Sequence, residues 1–161
     1  MAFSFLSGIR VLDLSQYLPG PLAAQVLADL GAEVVKVEPP AGDPQRHLDP
    51  TAGPLDPGVV EGGDTSPFYQ VLNAGKTVTR LDLKSAAGKA SFRNLVRGAD
   101  VLLESYRPGV MDRLGFGYGA AKALNPGLVY CALTGYGQTG PLRLAAGHDL
   151  NYMAATGALS Q

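Results

Sequence analysis

The chain has 161 residues, 46% of them hydrophobic, and its 13 Lys and Arg against 14 Asp and Glu give a net charge of −1. This length fits one globular domain with a real core, and the balanced charge excludes a general attraction to nucleic acid or anionic lipid. No apolar run approaches the roughly 20 residues that span a bilayer, and the N-terminus lacks the pattern of a secretory leader. We therefore expect a soluble, cytoplasmic protein without nucleic-acid or membrane partners.

The first part of the chain predicts a β-α-β unit, because a β-branched run, a helical pattern and a second β-branched run follow one another. These elements fall at residues 9–14, 22–30 and 32–38. Gly31 ends the helix, and the pair Pro39 and Pro40 ends the second strand. Two strands joined in this way are parallel, with a right-handed crossover.

A long segment rich in Pro, Gly and Asp runs from Pro39 to Pro67. Its lack of periodicity predicts a mobile surface loop that acts as a lid or a ligand-binding segment, with disorder as the alternative. His47 lies alone in this segment, and we expect it to be exposed to solvent.

Strand and helix patterns alternate through the rest of the chain. Strands are predicted at residues 77–83, 99–104 and 128–133, helices at 85–97, 110–114, 119–124 and 150–159, and a short helical or extended piece at 68–72. The largely apolar strands indicate a sheet that is covered on both faces. We therefore predict an α/β fold with an open parallel sheet and helices on both faces, in which Cys131 is a small core residue.

An open parallel sheet binds ligands at the carboxyl ends of its strands. The loops that follow the predicted strands would share one rim, which carries Tyr17, Lys84, Tyr106, Arg107, Tyr136, Gln138 and, just beyond, His148. The first strand does not run into a G-x-G-x-x-G turn, which disfavours a nicotinamide or flavin cofactor. A phosphate-cradling loop and paired Cys or His with metal-ligand spacing are also missing from the sequence, so we expect no prosthetic group and no metal.

The segment around His148 predicts a base beside the start of a helix. Gly147 allows a sharp turn, and Asp149 is a candidate N-cap for the predicted helix at 150–159. A helix N-terminus stabilises a developing oxyanion while a nearby base removes a proton next to a carbonyl. The alternative is a capping Asp beside a histidine that is satisfied by a backbone partner.

Many runs of the sequence resemble the class III CoA-transferase family. They lie at residues 6–14, 19–21, 27–40, 42–44, 81–84, 100–115, 125–126 and 135–141. The run Ala-Gly-His-Asp-Leu-Asn-Tyr at 146–152 resembles the racemase branch of that family, the alpha-methylacyl-CoA racemases. The resemblance implies an enzyme of CoA thioesters, with a Rossmann-like N-terminal CoA-binding domain over residues 1–161 and an interlocked homodimer.

The racemase resemblance implies that 2-methyl-branched acyl-CoA thioesters are racemised by removal and return of the alpha proton. His148 would be one catalytic base, and the backbone N–H of Asp149 would help to hold the thioester oxygen. Leu18 stands where the formyl-CoA transferase branch carries a Gln, and that branch has no histidine at the position of His148. Both positions favour proton transfer over acyl transfer.

The resemblance also implies contacts with CoA, which is part of the substrate and not a prosthetic group. Lys84, Arg107 and Arg113 match positions that contact CoA in the racemases, and Arg46 is a weaker match. Tyr17 would flank the acyl or pantetheine part, with cover of the core as the alternative, and Tyr152 would either line the acyl pocket or pack inward.

Two alternatives to the racemase remain. One is a class III CoA-transferase that moves CoA between carboxylic acids through an aspartyl-CoA intermediate, and the other is a noncatalytic CoA-binding subunit. The resemblance further implies that the second catalytic carboxylate falls beyond Gln161, so we expect the domain at 1–161 to be truncated, either as a fragment or as one piece of a split protein.

Overall fold

The computed structural model describes residues 4–48 and 65–160. Strands and helices alternate along the described chain as β1 (Arg10–Leu14), α1 (Pro19–Asp29), β2 (Glu33–Glu38), α2 (Pro67–Leu72), β3 (Thr77–Arg80), α3 (Ala86–Arg97), β4 (Val101–Glu104), α4 (Val110–Leu114), α5 (Tyr118–Leu124), β5 (Val129–Ala132) and α6 (Asp149–Ala155). Two 3₁₀ turns lie at Pro44–His47 and Ala158–Ser160. None of the described helices is both long and apolar enough to cross a membrane.

The sheet confirms the predicted α/β fold. Its strands lie in the order β3-β2-β1-β4-β5, and every neighbouring pair is parallel. Because successive side chains of a strand point to opposite faces, β1 contributes side chains to two hydrophobic cores, one on each face of the sheet. Leu12 packs in one core with Phe92 and Val96 of α3, and Val11 packs in the other with Ala24 of α1. Helices therefore cover both faces of the sheet.

The helix α3 begins as its sequence predicts. The Ser85 side chain accepts a hydrogen bond of 3.0 Å from the N–H of Gly88, which satisfies one of the free donors of the first turn. A Cβ on Gly88 would overlap the carbonyl oxygen of Asp82, so this turn requires glycine where it meets the loop after β3. Strand β3 itself ends at Arg80, three residues before the predicted end.

Two buried ion pairs tie segments outside the strands to the sheet. Lys76 Nζ lies 2.9 Å from Asp13 Oδ2, and both side chains are fully buried. Lys36 Nζ lies 2.9 Å from Asp43 Oδ2, and it also donates to the carbonyl oxygen of Ser15 at 2.9 Å. The segments after β1, β2 and α2 are thereby tied to the sheet by charge.

The prediction of a mobile surface loop from Pro39 to Pro67 is wrong for the two ends of this segment, which are packed against the fold. Asp43 and Gln45 are buried, and the Asp43 side chain accepts from Gln45 N–H to cap the 3₁₀ turn. Ser66 N–H donates to the carbonyl oxygen of Arg46 at 2.9 Å, which joins the two ends of the segment. His47 is exposed, as predicted, and the part of the predicted loop at 49–64 lies outside the described residues.

Cys131 is exposed, so its predicted place in the core is wrong. The apolar pattern of β5 identified a strand but not its position in the sheet, and β5 lies at an edge. Val129, which points to the same face as Cys131 because it lies two residues away, is also 61% exposed.

Candidate functional site

Two cavities open at the carboxyl ends of the strands. The first, here called the central cavity, has a volume of about 500 Å³, within the range of small-molecule sites. It lies over β1 to β4 and is lined by Gln16, Val37, Glu38, Pro39, Pro40, Ala41, Leu81, Asp82, Leu83, Lys84, Tyr106, Val110 and Leu114. Its position is the one where an open parallel sheet binds ligands.

The second cavity, here called the β5 cavity, has a volume of about 370 Å³. It is lined by Glu104, Arg107, Gly109, Met111, Asp112, Gly117, Tyr118, Tyr130, Ala132 and Gln138. The segment at 106–114, which contains α4, separates the two cavities. Val110 and Leu114 face the central cavity, whereas Met111 and Asp112 face the β5 cavity.

Three cations that were predicted to bind CoA do not lie at the same cavity. Lys84 is exposed and lines the central cavity. Arg107 is exposed and lines the β5 cavity. Arg113 is exposed near the end of α4 and is not among the lining residues of either cavity. The structure therefore places only Lys84 of these three at the central cavity.

Arg46 is held by a carboxylate of the protein itself. Its Nε and Nη2 donate to the two oxygens of Glu38 at 2.8 and 2.9 Å, and its guanidinium lies over the ring of Tyr69. Burial alone would raise the pKa of Glu38, but the hydrogen bonds from Arg46 and Tyr69 outweigh it and keep that pKa below its usual value. The charge of Arg46 is therefore already compensated, and its contact with CoA stays a prediction.

Arg80, which the sequence patterns do not single out, lies at the same carboxylate. Its Nε is 3.8 Å from Glu38 Oε2, and its side chain is about half exposed. The register of the sheet pairs Glu38 with Arg80, and only the strand order reveals that pairing. Two guanidinium groups beside one carboxylate leave a net positive charge at the end of β2.

Tyr17 lies in the loop between β1 and α1. It has a φ of 64° and is the one non-glycine residue with positive φ among residues 4–48 and 65–160. Its side chain is 48% exposed, next to Gln16 of the central cavity. Gln16 N–H donates to Ser105 Oγ at 3.1 Å, which joins this loop to the loop after β4. A positive φ at a bulky residue is maintained only where the surrounding structure enforces it.

His148, not Asp149, is the N-cap of α6, which corrects the sequence prediction. The side chain of Asn151 accepts a hydrogen bond of 2.9 Å from His148 N–H, and this bond places the start of the helix one residue earlier. The helix ends at Ala155, well before the predicted 159, because Gly157 adopts a φ of +80° and a 3₁₀ turn follows. The side chains of His148 and Asp149 are both exposed.

Tyr152 positions this helix start. Its hydroxyl donates to the carbonyl oxygen of Gly147 at 2.7 Å, and its ring lies edge-on to Tyr136 with centroids 5.2 Å apart. A Cβ on either Gly135 or Gly147 would overlap the Tyr152 ring. Tyr152 therefore packs between two glycines and attaches α6 to the loop after β5. Its predicted contact with the substrate stays a prediction.

Glu104 is a buried carboxylate that the sequence pattern does not single out, although an acidic residue at the end of an apolar strand could have indicated it. It is 4% exposed, and its Oε2 accepts from Tyr106 N–H at 2.8 Å. Burial and the negative charge of Asp112 raise the pKa of Glu104. Among residues 4–48 and 65–160, no three His, Cys, Asp or Glu side chains are grouped so as to hold a metal ion.

We expect Glu104→Gln to raise the free energy of unfolding at neutral pH. The raised pKa means that the folded state binds the proton more tightly than the unfolded state, so this contribution to stability is present below the unfolded pKa and is lost as pH rises through the folded pKa. Glutamine removes the charge and keeps an acceptor for Tyr106 N–H. Urea denaturation should show that the gain shrinks in acid, with the exposed Asp29→Asn as control. A variant less stable than the wild type at neutral pH would contradict this account.

The comparisons with known proteins agree on one family. The family model described as CoA-transferase family III matches residues 6–161. The chain is 41% identical over 155 residues to an acyl-CoA transferase of Fusarium pseudograminearum, covering 96% of this chain and 34% of that relative. It is 42% identical over 151 residues to the acetyl-CoA:oxalate CoA-transferase of Acetobacter aceti, covering 93% of this chain and 36% of that relative.

Solved structures show the same fold. A crystal structure of a hypothetical protein from Mycobacterium tuberculosis matches with a TM-score of 0.84 and 39% identity, covering 97% of this chain and 41% of that one. A CAIB/BAIF family protein from Brucella suis matches with a TM-score of 0.83 and 40% identity, covering 94% of this chain and 39% of that one. The chain thus spans little more than one third of the length of the relatives that it matches.

Proposed function

The chain belongs to CoA-transferase family III, and from this premise we propose that the whole protein is an enzyme that moves CoA between carboxylic acids. The observation that carries the proposal is the naming of relatives at 41–42% identity as acyl-CoA transferase and acetyl-CoA:oxalate CoA-transferase. These relatives favour the transferase over the racemase that the run at 146–152 suggested.

In this proposal the chain supplies the binding site for CoA at the central cavity. Lys84 provides a cation at the lining for a phosphate group, while Val110 and Leu114 provide an apolar wall. In the transfer, an aspartate that the family resemblance places beyond Gln161 attacks the acyl carbon and releases the CoA thiolate. The thiolate then attacks the aspartyl carbonyl and releases the first acid, leaving an aspartyl-CoA thioester. An incoming carboxylate repeats the two steps in reverse.

A racemase is the second candidate, and the position of His148 favours it. The side chain is exposed at the N-cap of α6, beside the first-turn N–H groups. An imidazole in its neutral form can remove the alpha proton of a thioester, while those N–H groups stabilise the enolate oxygen. The exposed Leu18 adds to this support, because its side chain cannot hydrogen-bond to an acyl anhydride.

Two readouts on the whole protein separate the candidates. If the protein is a transferase, mass spectrometry after exposure to acyl-CoA shows an enzyme–CoA thioester adduct, and turnover requires an acceptor acid. If it is a racemase, deuterium from solvent enters the alpha carbon without an acceptor. CoA binding with neither activity would leave the noncatalytic CoA-binding subunit. We propose, as further expectations, that the whole protein is an interlocked homodimer in the cytoplasm and uses no prosthetic group.

His148→Ala tests the role of the imidazole. If the racemase candidate is correct, this variant loses alpha-proton exchange while its CoA affinity stays unchanged, because the base is removed and the central cavity is intact. His47→Ala is the matched control, since it removes the other exposed histidine. Unchanged exchange in His148→Ala would eliminate this histidine as the base.

A further inference from the structure

The β5 cavity lies apart from the central cavity that we assign to CoA, although Arg107 on its lining is one of the predicted CoA contacts, and it contains a concentrated set of polar side chains. Two carboxylates, two phenols, one amide and one guanidinium line it, on Glu104, Asp112, Tyr118, Tyr130, Gln138 and Arg107. We infer that this cavity is a second binding site, which takes the guanidinium group of a small alkylguanidinium ligand. This inference does not depend on which reaction the protein catalyses.

The main observation behind this inference is that Glu104 is a buried carboxylate with one unpaired oxygen among the described residues. Only 4% of the residue is exposed to solvent, so it is more than nine-tenths buried. Its Oε2 accepts from Tyr106 N–H, while its Oε1 accepts no hydrogen bond from the described residues. It also forms no salt bridge with a cation in the described part of the chain. A buried carboxylate without a cation is energetically costly unless something compensates it.

Asp112, which is exposed to solvent, places a second carboxylate at the lining of the same cavity. A Cβ on Gly117 would overlap Asp112 Oδ1, so the glycine allows this carboxylate to lie against the backbone at the start of α5. Burial is the main cause of the raised pKa of Glu104, and the like charge of Asp112 adds to it. The cavity therefore has two acidic groups that repel each other, and a cation bound between them would offset one negative charge and reduce this repulsion.

The shape and the aromatic lining favour a guanidinium over a metal ion or a compact ammonium. A guanidinium is a planar fork with five donors, and it can bridge two carboxylates while its face stacks on an aromatic ring. The rings of Tyr130 and Tyr118 meet edge-on with centroids 6.0 Å apart, beside the carboxylates. A cavity of about 370 Å³ is also much larger than a metal ion requires.

Arg107 is the one competing guanidinium at this cavity among the described lining residues. It is exposed and forms no salt bridge with Glu104 or Asp112, so it leaves both carboxylates available. Its positive charge should repel a cationic ligand. We therefore expect Arg107→Gln to bind the ligand more tightly than the wild type.

Calorimetric titration of the chain with N-acetylarginine amide tests the site. We expect saturable binding, at least about tenfold weaker binding of the neutral citrulline analogue, and at least about tenfold weaker binding of the arginine probe to Glu104→Gln, since charge-assisted hydrogen bonds are lost in both cases. Asp29→Asn, which removes an exposed carboxylate elsewhere, should bind as the wild type does. Saturating CoA should not displace the probe, because α4 separates the two cavities.

Several outcomes would overturn the inference. These are equal binding of the citrulline analogue, unchanged affinity in a folded Glu104→Gln variant, or displacement of the probe by CoA. If Glu104→Gln does not fold, Asp112→Asn provides the same test. Binding of the arginine probe to this variant is then followed by the amide chemical shifts around Tyr130. Sedimentation identifies the source of the group: an unchanged mass of Glu104→Gln indicates a free ligand, and loss of a dimer indicates an arginine of a second copy.

Discussion

Replacing Lys76 by methionine is expected to lower the free energy of unfolding by about 3–5 kcal/mol, because it leaves Asp13 as a buried charge without its cation. The two side chains are fully buried with 2.9 Å between Nζ and Oδ2. Lys76 also donates to the carbonyl oxygen of Pro21 at 2.8 Å and to Asn73 Oδ1 at 3.0 Å. The substitution therefore removes three hydrogen bonds at the junction of β1, α1 and α2.

Denaturation with urea measures this loss. The exposed Lys122→Met is the matched control and should change stability by less than about 0.5 kcal/mol. The double variant Asp13→Asn with Lys76→Met should recover part of the stability, because no buried charge is left unpaired. If Lys76→Met were as stable as Lys122→Met, the buried pair would not hold β1, α1 and the segment after α2 together.

Replacing Val110 by tryptophan is expected to weaken CoA binding by at least about 100-fold, or roughly 2.7 kcal/mol. Val110 is the first residue of α4 and lines the central cavity. An indole at this position would project into the space that we assign to CoA. The fold should tolerate it, because the side chain would enter an open cavity rather than a packed core.

Calorimetry with CoA measures the affinity of this variant. Ala90→Trp adds the same side chain to an exposed position of α3 and should bind CoA as the wild type does. Thermal unfolding of both variants confirms that they are folded. Retained affinity in a folded Val110→Trp variant would exclude the central cavity as the CoA site.

The fold class was predictable because it follows from sequence patterns that are local. The apolar strands with intervening helical patterns specify a parallel α/β sheet, and Ser85 identifies the start of α3 by its own side chain. Strand order and edges depend on contacts between distant segments, which no local pattern contains. Cys131 shows the consequence, since the same apolar run would be buried in a central strand and is exposed in the edge strand β5.

The buried charges were not predictable for the same reason. Lys36 lies within an apolar strand pattern and Lys76 lies just before one, where an isolated lysine ordinarily indicates a solvated face. Each is paired with an aspartate at a different point of the chain, Asp43 and Asp13. Only the assembled rim of the sheet brings these partners together.

The sequence predicted that the loops after the strands share one rim, but not how the residues of that rim divide between two cavities. The sequence placed Lys84 and Arg107 on one rim, and the structure separates them by α4 into two cavities. The reason is that the segment at 106–114 places Tyr106, Val110 and Leu114 at the central cavity and its other lining residues at the β5 cavity, which a list of cationic residues cannot show. His148 was identified as a helix-start residue, but the Asn151 side chain makes it the cap itself.

Titration of the chain with CoA, followed in a nitrogen–proton correlation spectrum, tests the central claim most directly. We predict that the amide groups that shift are those of the central cavity, at Glu38, Ala41, residues 81–84, Tyr106 and Val110. Shifts confined to the β5 cavity, or a spectrum that CoA leaves unchanged, would contradict the assignment of this rim as the CoA site.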